Sequence, residues 1–181
     1  MEGCPQQGGG LEKSPKGFDG LSSTQRRNQV SDLVRKVYSA IKSIRNIPFG
    51  ISPSGDMSSC RNTSFAPVDQ WMKSSGYIDY ICPQLYWGYT HSSMAFSSTI
   101  RTWAGYSRSG SVKRYVGLGP YRLLDGSSDW ATSDGAYLGR MVSDARASGY
   151  SGFCIYRYAS LFSGDSRMAA ERTYLRSILR R

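Results

Sequence analysis

Between residues 26 and 46 apolar side chains return at helical spacing, with Val30, Leu33, Val34, Val37, Ile41 and Ile44 sharing a face. That pattern predicts an amphipathic helix. Ile47-Pro48-Phe49-Gly50-Ile51-Ser52 then reads as a short strand that stops at Pro53-Ser54-Gly55, and a loop through Asn62 leads to a short helix. Pro67 lies near the first turn of that helix, with Trp71 and Met72 on its apolar side. The unit recurs. Tyr77 to Tyr86 is a second strand, and residues 94–105 a helix carrying Ile100 and Trp103. Arg114 to Gly119 is a third strand, followed by a long polar loop and a helix over about 134–148 bearing Leu138, Met141, Val142 and Ala145. Gly152-Phe153-Cys154-Ile155-Tyr156 is a fourth strand, and residues 165–180 close as a helix.

Strand centres fall about 32 to 37 residues apart, the rhythm of successive βα units. The strands are short and apolar on both faces, which suits parallel strands covered by helices. The fold class is therefore α/β, with four consecutive βα units forming either a small open sheet or half of an eight-stranded barrel. The chain has 181 residues. A closed (β/α)8 barrel needs roughly 200 at least and typically about 250. Residues 1–24 form a Gly/Pro/Ser/Gln-rich leader, expected to be flexible, ahead of an α/β domain over 25–181.

With hydrophobic residues at 39% and charged residues at 20%, the chain is neither disordered nor collagenous. No apolar run reaches the roughly 18 residues of a membrane span, and Met1-Glu2-Gly3-Cys4-Pro5 has no signal-peptide character. The net charge is +10, from 23 Lys+Arg against 13 Asp+Glu. The cations sit on the first and last helices without a nucleic-acid recognition motif, so solvated helix faces explain them better than a nucleic-acid partner. Cys4, Cys60, Cys82 and Cys154 show no CxxC pair and His91 is the single histidine, so neither metal nor cofactor is expected. Cys82 and Cys154 lie in apolar strands and read as small buried hydrophobes.

In α/β folds function gathers where strands lead into helices. Those positions are Ser52, Ser54 and Asp56 after the first strand, then Gln84, Tyr86 and Trp87 with His91 nearby. The third strand offers Tyr121, Arg122 and Asp125, and the fourth Tyr156, Arg157 and Tyr158. Aromatic faces stack on pyranose rings while Gln, Ser and Tyr hydrogen-bond to hydroxyls, so this rim suits a sugar. We take Ser52, Gln84, Tyr86, Trp87, His91, Tyr121 and Tyr156 as candidate substrate-binding residues. Between residues 13 and 170 every carboxylate is an Asp, and Asp56 is the candidate catalytic acid. The plainer alternative is that Asp56 bonds its own loop backbone. Asp79, at a strand's start, reads as structural.

The run Phe49-Gly50-Ile51-Ser52-Pro53-Ser54-Gly55 and the run Ile81-Cys82-Pro83-Gln84-Leu85-Tyr86-Trp87-Gly88 resemble motifs of glycosyl-hydrolase-like family 10. So do Tyr115-Val116-Gly117-Leu118 and the segment from Gly152 to Leu161, and the likeness covers roughly residues 24 to 162. The resemblance implies strands five to eight of a bacterial (β/α)8 barrel in the cell envelope, acting on glycan, peptidoglycan strands foremost. The family's fourth strand ends in an acidic segment. Gly17-Phe18-Asp19-Gly20-Leu21 resembles its start, but the paired acids are absent, and the segment before residue 17 resembles nothing in the family. Two function classes follow: a glycoside hydrolase, or a non-catalytic carbohydrate-binding half-barrel. Open strand edges further predict a homodimer that completes the barrel, or a separate N-terminal half as partner.

Overall fold

In the computed structural model, which describes residues 19–130 and 134–180, the first amphipathic stretch is helix α1 (Ser23–Ile44). Ser22 starts it through a capping box: its Oγ accepts from Gln25 N at 3.3 Å, and Gln25 Oε1 accepts from Ser22 N at 2.9 Å. Asp19 and Gly20 form a turn ahead of this cap. Residues 1–18, most of the expected leader, lie outside the described residues.

Four strands follow: β1 (Gly50–Ile51), β2 (Tyr80–Ile81), β3 (Lys113–Leu118) and β4 (Gly152–Ile155). They lie side by side in chain order and all pair parallel. Single bridges from Ser54 to Gln84 and from Gln84 to Gly117 carry the pairing past the ends of β1 and β2. The helices between them are α2 (Met57–Asn62), α3 (Val68–Lys73), α4 (Phe96–Gly105) and α5 (Tyr137–Ala147). Helices α6 (Tyr158–Leu161) and α7 (Ser166–Leu179) close the chain. This is an α/β fold with a parallel sheet, as a partial (β/α) barrel would have.

The sequence reading missed the short elements. Helix α2 lies where a loop was expected, helix α6 follows β4 directly, and the polar loop holds 3₁₀ turns at Pro120–Leu123 and Ser128–Trp130. β1 and β2 are also shorter than the apolar runs that predicted them.

Side chains alternate across a strand, so the register assigns each position to a face. Ile81, Val116 and Leu118 share one face and join the buried core with Trp71, Ile100, Trp103, Leu138 and Met141. On the opposite face Gly50 pairs with Tyr80 and Tyr80 with Lys113, while Tyr115 and Gly152 pair one step further along the strands. Tyr80 and Tyr115 meet edge to face at 5.5 Å. A side chain on Gly50 would start 2.3 Å from the Tyr80 ring, so glycine is needed there. Ser52 and Cys82 stand level with Tyr115 and Gly152, and Ser54, Gln84, Gly117 and Cys154 form the next step. The strands were expected to be buried on both faces, and this second face is instead partly open. Lys113 and Cys154 are exposed, while Cys82 alone of the cysteine pair is buried. Helical packing concentrates on the first face, which is how the strands of a barrel are covered.

Two buried or half-buried carboxylates fasten the frame. Asp79 accepts from Phe49 N at 2.7 Å and Tyr38 Oη at 3.1 Å and pairs with Lys42 at 2.8 Å, tying α1 to the sheet. Glu171 of α7 is fully buried and accepts from Tyr137 N and Leu138 N, both at 2.9 Å, which caps the start of α5.

Candidate functional site

Because the strands are parallel, their C-terminal ends share one side of the sheet. There an open cleft of about 350 Å³ runs between Ser54, Gln84, Tyr86, Trp87, Tyr121 and Arg122. Tyr86 and Tyr121 line it, and Tyr86 centres an aromatic cluster that Tyr156 joins from outside the lining. Tyr156 stacks on Tyr86 at 5.9 Å and 20°, and Tyr121 meets it edge-on at 5.9 Å. Tyr121 and Tyr156 also touch, at 6.2 Å, so residues from three strand ends form one cluster. Burial, and then the neighbouring Cys82 thiol, push the Tyr86 hydroxyl up to about 12, which leaves it protonated at neutral pH. Tyr156 is exposed and offers its ring to solvent.

Gln84 stands beside this cluster. Its Nε2 donates to Ser52 O at 2.9 Å and reaches Ser52 Oγ at 3.4 Å, while Ser52 Oγ donates to Cys82 O at 2.9 Å. The neighbouring strand thus satisfies the amide nitrogen and fixes its orientation, turning the amide oxygen into a placed acceptor. Trp87 lies half-buried against the core and lines the cleft from the side.

The loop carrying Tyr86, Trp87 and Gly88 is locked from below. Buried Asp129 accepts from Gly88 N at 2.7 Å, and Trp130 Nε1 donates to Tyr86 O at 3.1 Å. Tyr137 Oη donates to Asp129 O at 2.7 Å. A Cβ on Gly88 would fall 1.8 Å from the Asp129 carbonyl oxygen, so the approach requires glycine. Asp129 and Trp130 position the site although sequence reasoning passed over both. Their signal was faint, a single Asp-Trp pair inside a polar loop.

The other candidates stand apart from the aromatic cluster. Asp56 is the N-cap of α2, accepting from Ser58 N at 2.9 Å, Ser59 N at 3.2 Å and Ser59 Oγ at 2.7 Å. Its hydrogen bonds, led by the Ser59 hydroxyl and opposed by partial burial, hold the carboxyl below its ordinary range. Asp56 faces a separate hollow with Ser93, Met94 and Thr102, not the cleft of Gln84 and Tyr86. His91 lies edge-on to Trp87 at 6.0 Å, and its Nδ1 accepts from Met94 N at 3.1 Å. It closes its own turn. Asp125 pairs with Arg122 at 3.3 Å and accepts from Ser127 N at 3.0 Å.

Chemically, the arrangement presents rings, a fixed amide and hydroxyls to a ligand. Among the described residues no carboxylate lines the cleft itself, and no group of three or more His, Cys, Asp or Glu is placed to hold a metal. No described helix is long and apolar enough to cross a membrane.

The profile of the family described as Glycosyl hydrolase-like 10 matches residues 6–131. The match includes residues 6–16, so the expectation that the segment before residue 17 is unlike the family is corrected, and it stops before the fourth βα unit. The chain is 28% identical over 128 residues to the glycosyl hydrolase DigH of Escherichia coli K12, covering 61% of this chain and 29% of that protein. It is 29% identical over 114 residues to the glycosyl hydrolase YngK of Bacillus subtilis, covering 54% of this chain and 22% of that protein. The chain therefore spans less than a third of the length of these relatives.

Proposed function

The chain belongs to the glycosyl hydrolase-like family 10, and we propose that it supplies the sugar-binding half of a glycoside-hydrolase site for bacterial envelope glycan. In this reading the four βα units are strands five to eight of a (β/α)8 barrel, and the cleft is half of the barrel mouth. The observation that carries it is the cluster of Tyr86, Tyr121 and Tyr156 beside the fixed Gln84 amide at the strand ends. Two sugar faces could stack on such a wall while the amide oxygen and the Tyr86 hydroxyl bond to ring hydroxyls. Peptide-free peptidoglycan strands are the proposed substrate, and the bacterial envelope the proposed location.

Hydrolysis of a glycosidic bond requires an acid to protonate the leaving oxygen and a second carboxylate to attack or to activate water. Among the described residues Asp56 and Asp125 lie just beyond strand ends, and Asp56 is the candidate, although its carboxylate faces the hollow beside the cleft. A general acid needs a raised pKa, whereas the bonds to Asp56 favour its anion. Asp56 therefore suits the base or electrostatic role, with the acid coming from outside these four units. The capping of α2 by Asp56 also favours a second reading, glycan binding without catalysis.

Mass spectrometry of products, after incubating the chain with peptide-free glycan strands, separates the two. New fragments that disappear in an Asp56→Asn variant support hydrolysis through Asp56. Intact strands that still bind a folded chain leave binding alone. Failure of the folded chain to bind the strands overturns both readings.

A further inference from the structure

We propose that Cys82 and Cys154 form a two-coordinate site for a soft monovalent cation, Cu(I) foremost, on the open face of the sheet. Cys82 directly follows β2 and Cys154 lies in β4, with β3 between them. The partner of Ile81 is Arg114, so Cys82 stands level with Tyr115, and Cys154 pairs with Gly117 one step further along. Both side chains therefore point to the same face. Gly117 has no side chain to keep them apart. Strands tilted as in a barrel bring residues on such a diagonal into one inward layer. The Cys82 thiol accordingly reaches that of Cys154 and hydrogen-bonds with it.

Two thiols in contact invite a disulfide, but the backbone forbids it. Two strand spacings separate the segments that carry them, roughly 9–10 Å. A disulfide needs its Cα atoms within about 7 Å. A metal ion removes the mismatch, because two metal–sulfur bonds of about 2.3 Å hold the sulfurs roughly 4–5 Å apart. Cys154 is exposed and Cys82 buried, so an ion can enter from solvent and seat against the sheet. Ser52 Oγ donates to Cys82 O at 2.9 Å and fixes the backbone behind the buried sulfur. Among the described residues no group of three or more His, Cys, Asp or Glu is placed to hold a metal. Zinc asks for about four such ligands, whereas thiolates alone suit Cu(I). Loading is a proton exchange: one monovalent ion and two thiols give a bis-thiolate complex of charge −1, and two protons pass to solvent. Burial, and then the neighbouring Cys154, push the Cys82 thiol up to about 12. A cation between the sulfurs removes the repulsion of two adjacent thiolates.

Titration of the reduced full chain with Cu(I), under argon and against a chromophoric chelator, tests this directly. The site is expected to take one ion per chain, with a sulfur-to-copper absorption band in the near ultraviolet. X-ray absorption should count two sulfur neighbours. Cys154→Ser changes an exposed side chain and should weaken binding by roughly a hundredfold or more. Cys82→Ser, checked for folding by circular dichroism, should do the same, and Cys4→Ser should leave binding unchanged. Undiminished binding by Cys154→Ser overturns the assignment, and so does a parent chain that takes up no ion. A doubled mass that appears only with copper would put the ion between two chains through Cys154, and would overturn it as well.

Discussion

Tyr156 tests the binding wall most cleanly, because it is exposed and its loss should spare the fold. Its ring stacks on Tyr86, so Tyr156→Ala removes one layer of the wall without opening the core. We expect glycan affinity to fall by roughly two- to tenfold, the scale of an aromatic stacking contact. Tyr158→Ala is the matched control, since Tyr158 stacks on Phe162 away from the cluster. Equal losses in the two variants would show that the wall has no special role. The rim residues were legible in the sequence because parallel strands deliver their C-terminal ends to one side, whatever the loops do. What was not legible was orientation. Asp56 and Gln84 both follow strand ends, yet the Asp56 carboxylate turns to the first N–H groups of α2 while Gln84 turns to Ser52. That difference is decided by which backbone donors lie nearby, and spacing along the chain carries no record of it.

The element that holds the site is the junction between the Tyr86–Gly88 loop and the 3₁₀ turn at Ser128–Trp130. Asp129→Ala would leave Gly88 N–H buried and unpaired, at a cost of about 1–3 kcal/mol. For a chain of this size that corresponds to a melting temperature lower by roughly 2–12 °C, readable by calorimetry. Gly88→Ala should be worse, because its Cβ meets the Asp129 backbone rather than a side chain that can rotate away. An Asp129→Ala variant that melts like the parent would show that the junction does not hold the loop. Glu171→Gln should also destabilise, by about 1–2 kcal/mol, since a neutral amide replaces a buried carboxylate at the N-terminus of α5. The long helices were readable because each has an apolar stripe at helical spacing. Helices α2 and α6 were not, since each is too short to show a period, and α2 is set by its Asp56 cap. Glu171 lies near the end of the sequence, where spacing gives no sign of a cap, and only the packing of α7 on α5 reveals it.

Across the whole molecule, several acids are held as anions by the fold. Against partial burial, Lys42, Phe49 N–H and Tyr38 keep Asp79 below the ordinary carboxylate range. The Arg167 guanidinium brings Asp165 down to about 2, and the Ser59 hydroxyl lowers Asp56. A depressed native pKa contributes stability that is complete above the unfolded value, about 3.9 for Asp. It is lost as pH falls toward the native values. Chemical denaturation should therefore show stability level above about pH 5 and declining from about pH 4 to 2. Stability that rises over that acid range would contradict these ion pairs. The four-unit architecture was legible from strand rhythm alone, but rhythm could not say that one sheet face stays open. That face decides how the molecule behaves in solution. The outer edges of β1 and β4 have no strand partner among the described residues, Tyr80 and Tyr115 look outward between them, and Leu33 and Ile44 of α1 are 61% and 83% exposed. Unpaired edges beside apolar surface favour association with a second copy. The net charge of +10 opposes it, and salt screens that repulsion. Light scattering should therefore show twice the chain mass in a fraction that grows with both protein and salt concentration. Reductant should leave that fraction unchanged, which separates sheet pairing from a disulfide through exposed Cys154. A monomer at every concentration and salt would mean that the open face is satisfied by solvent, and that completing the barrel is not what a second copy does.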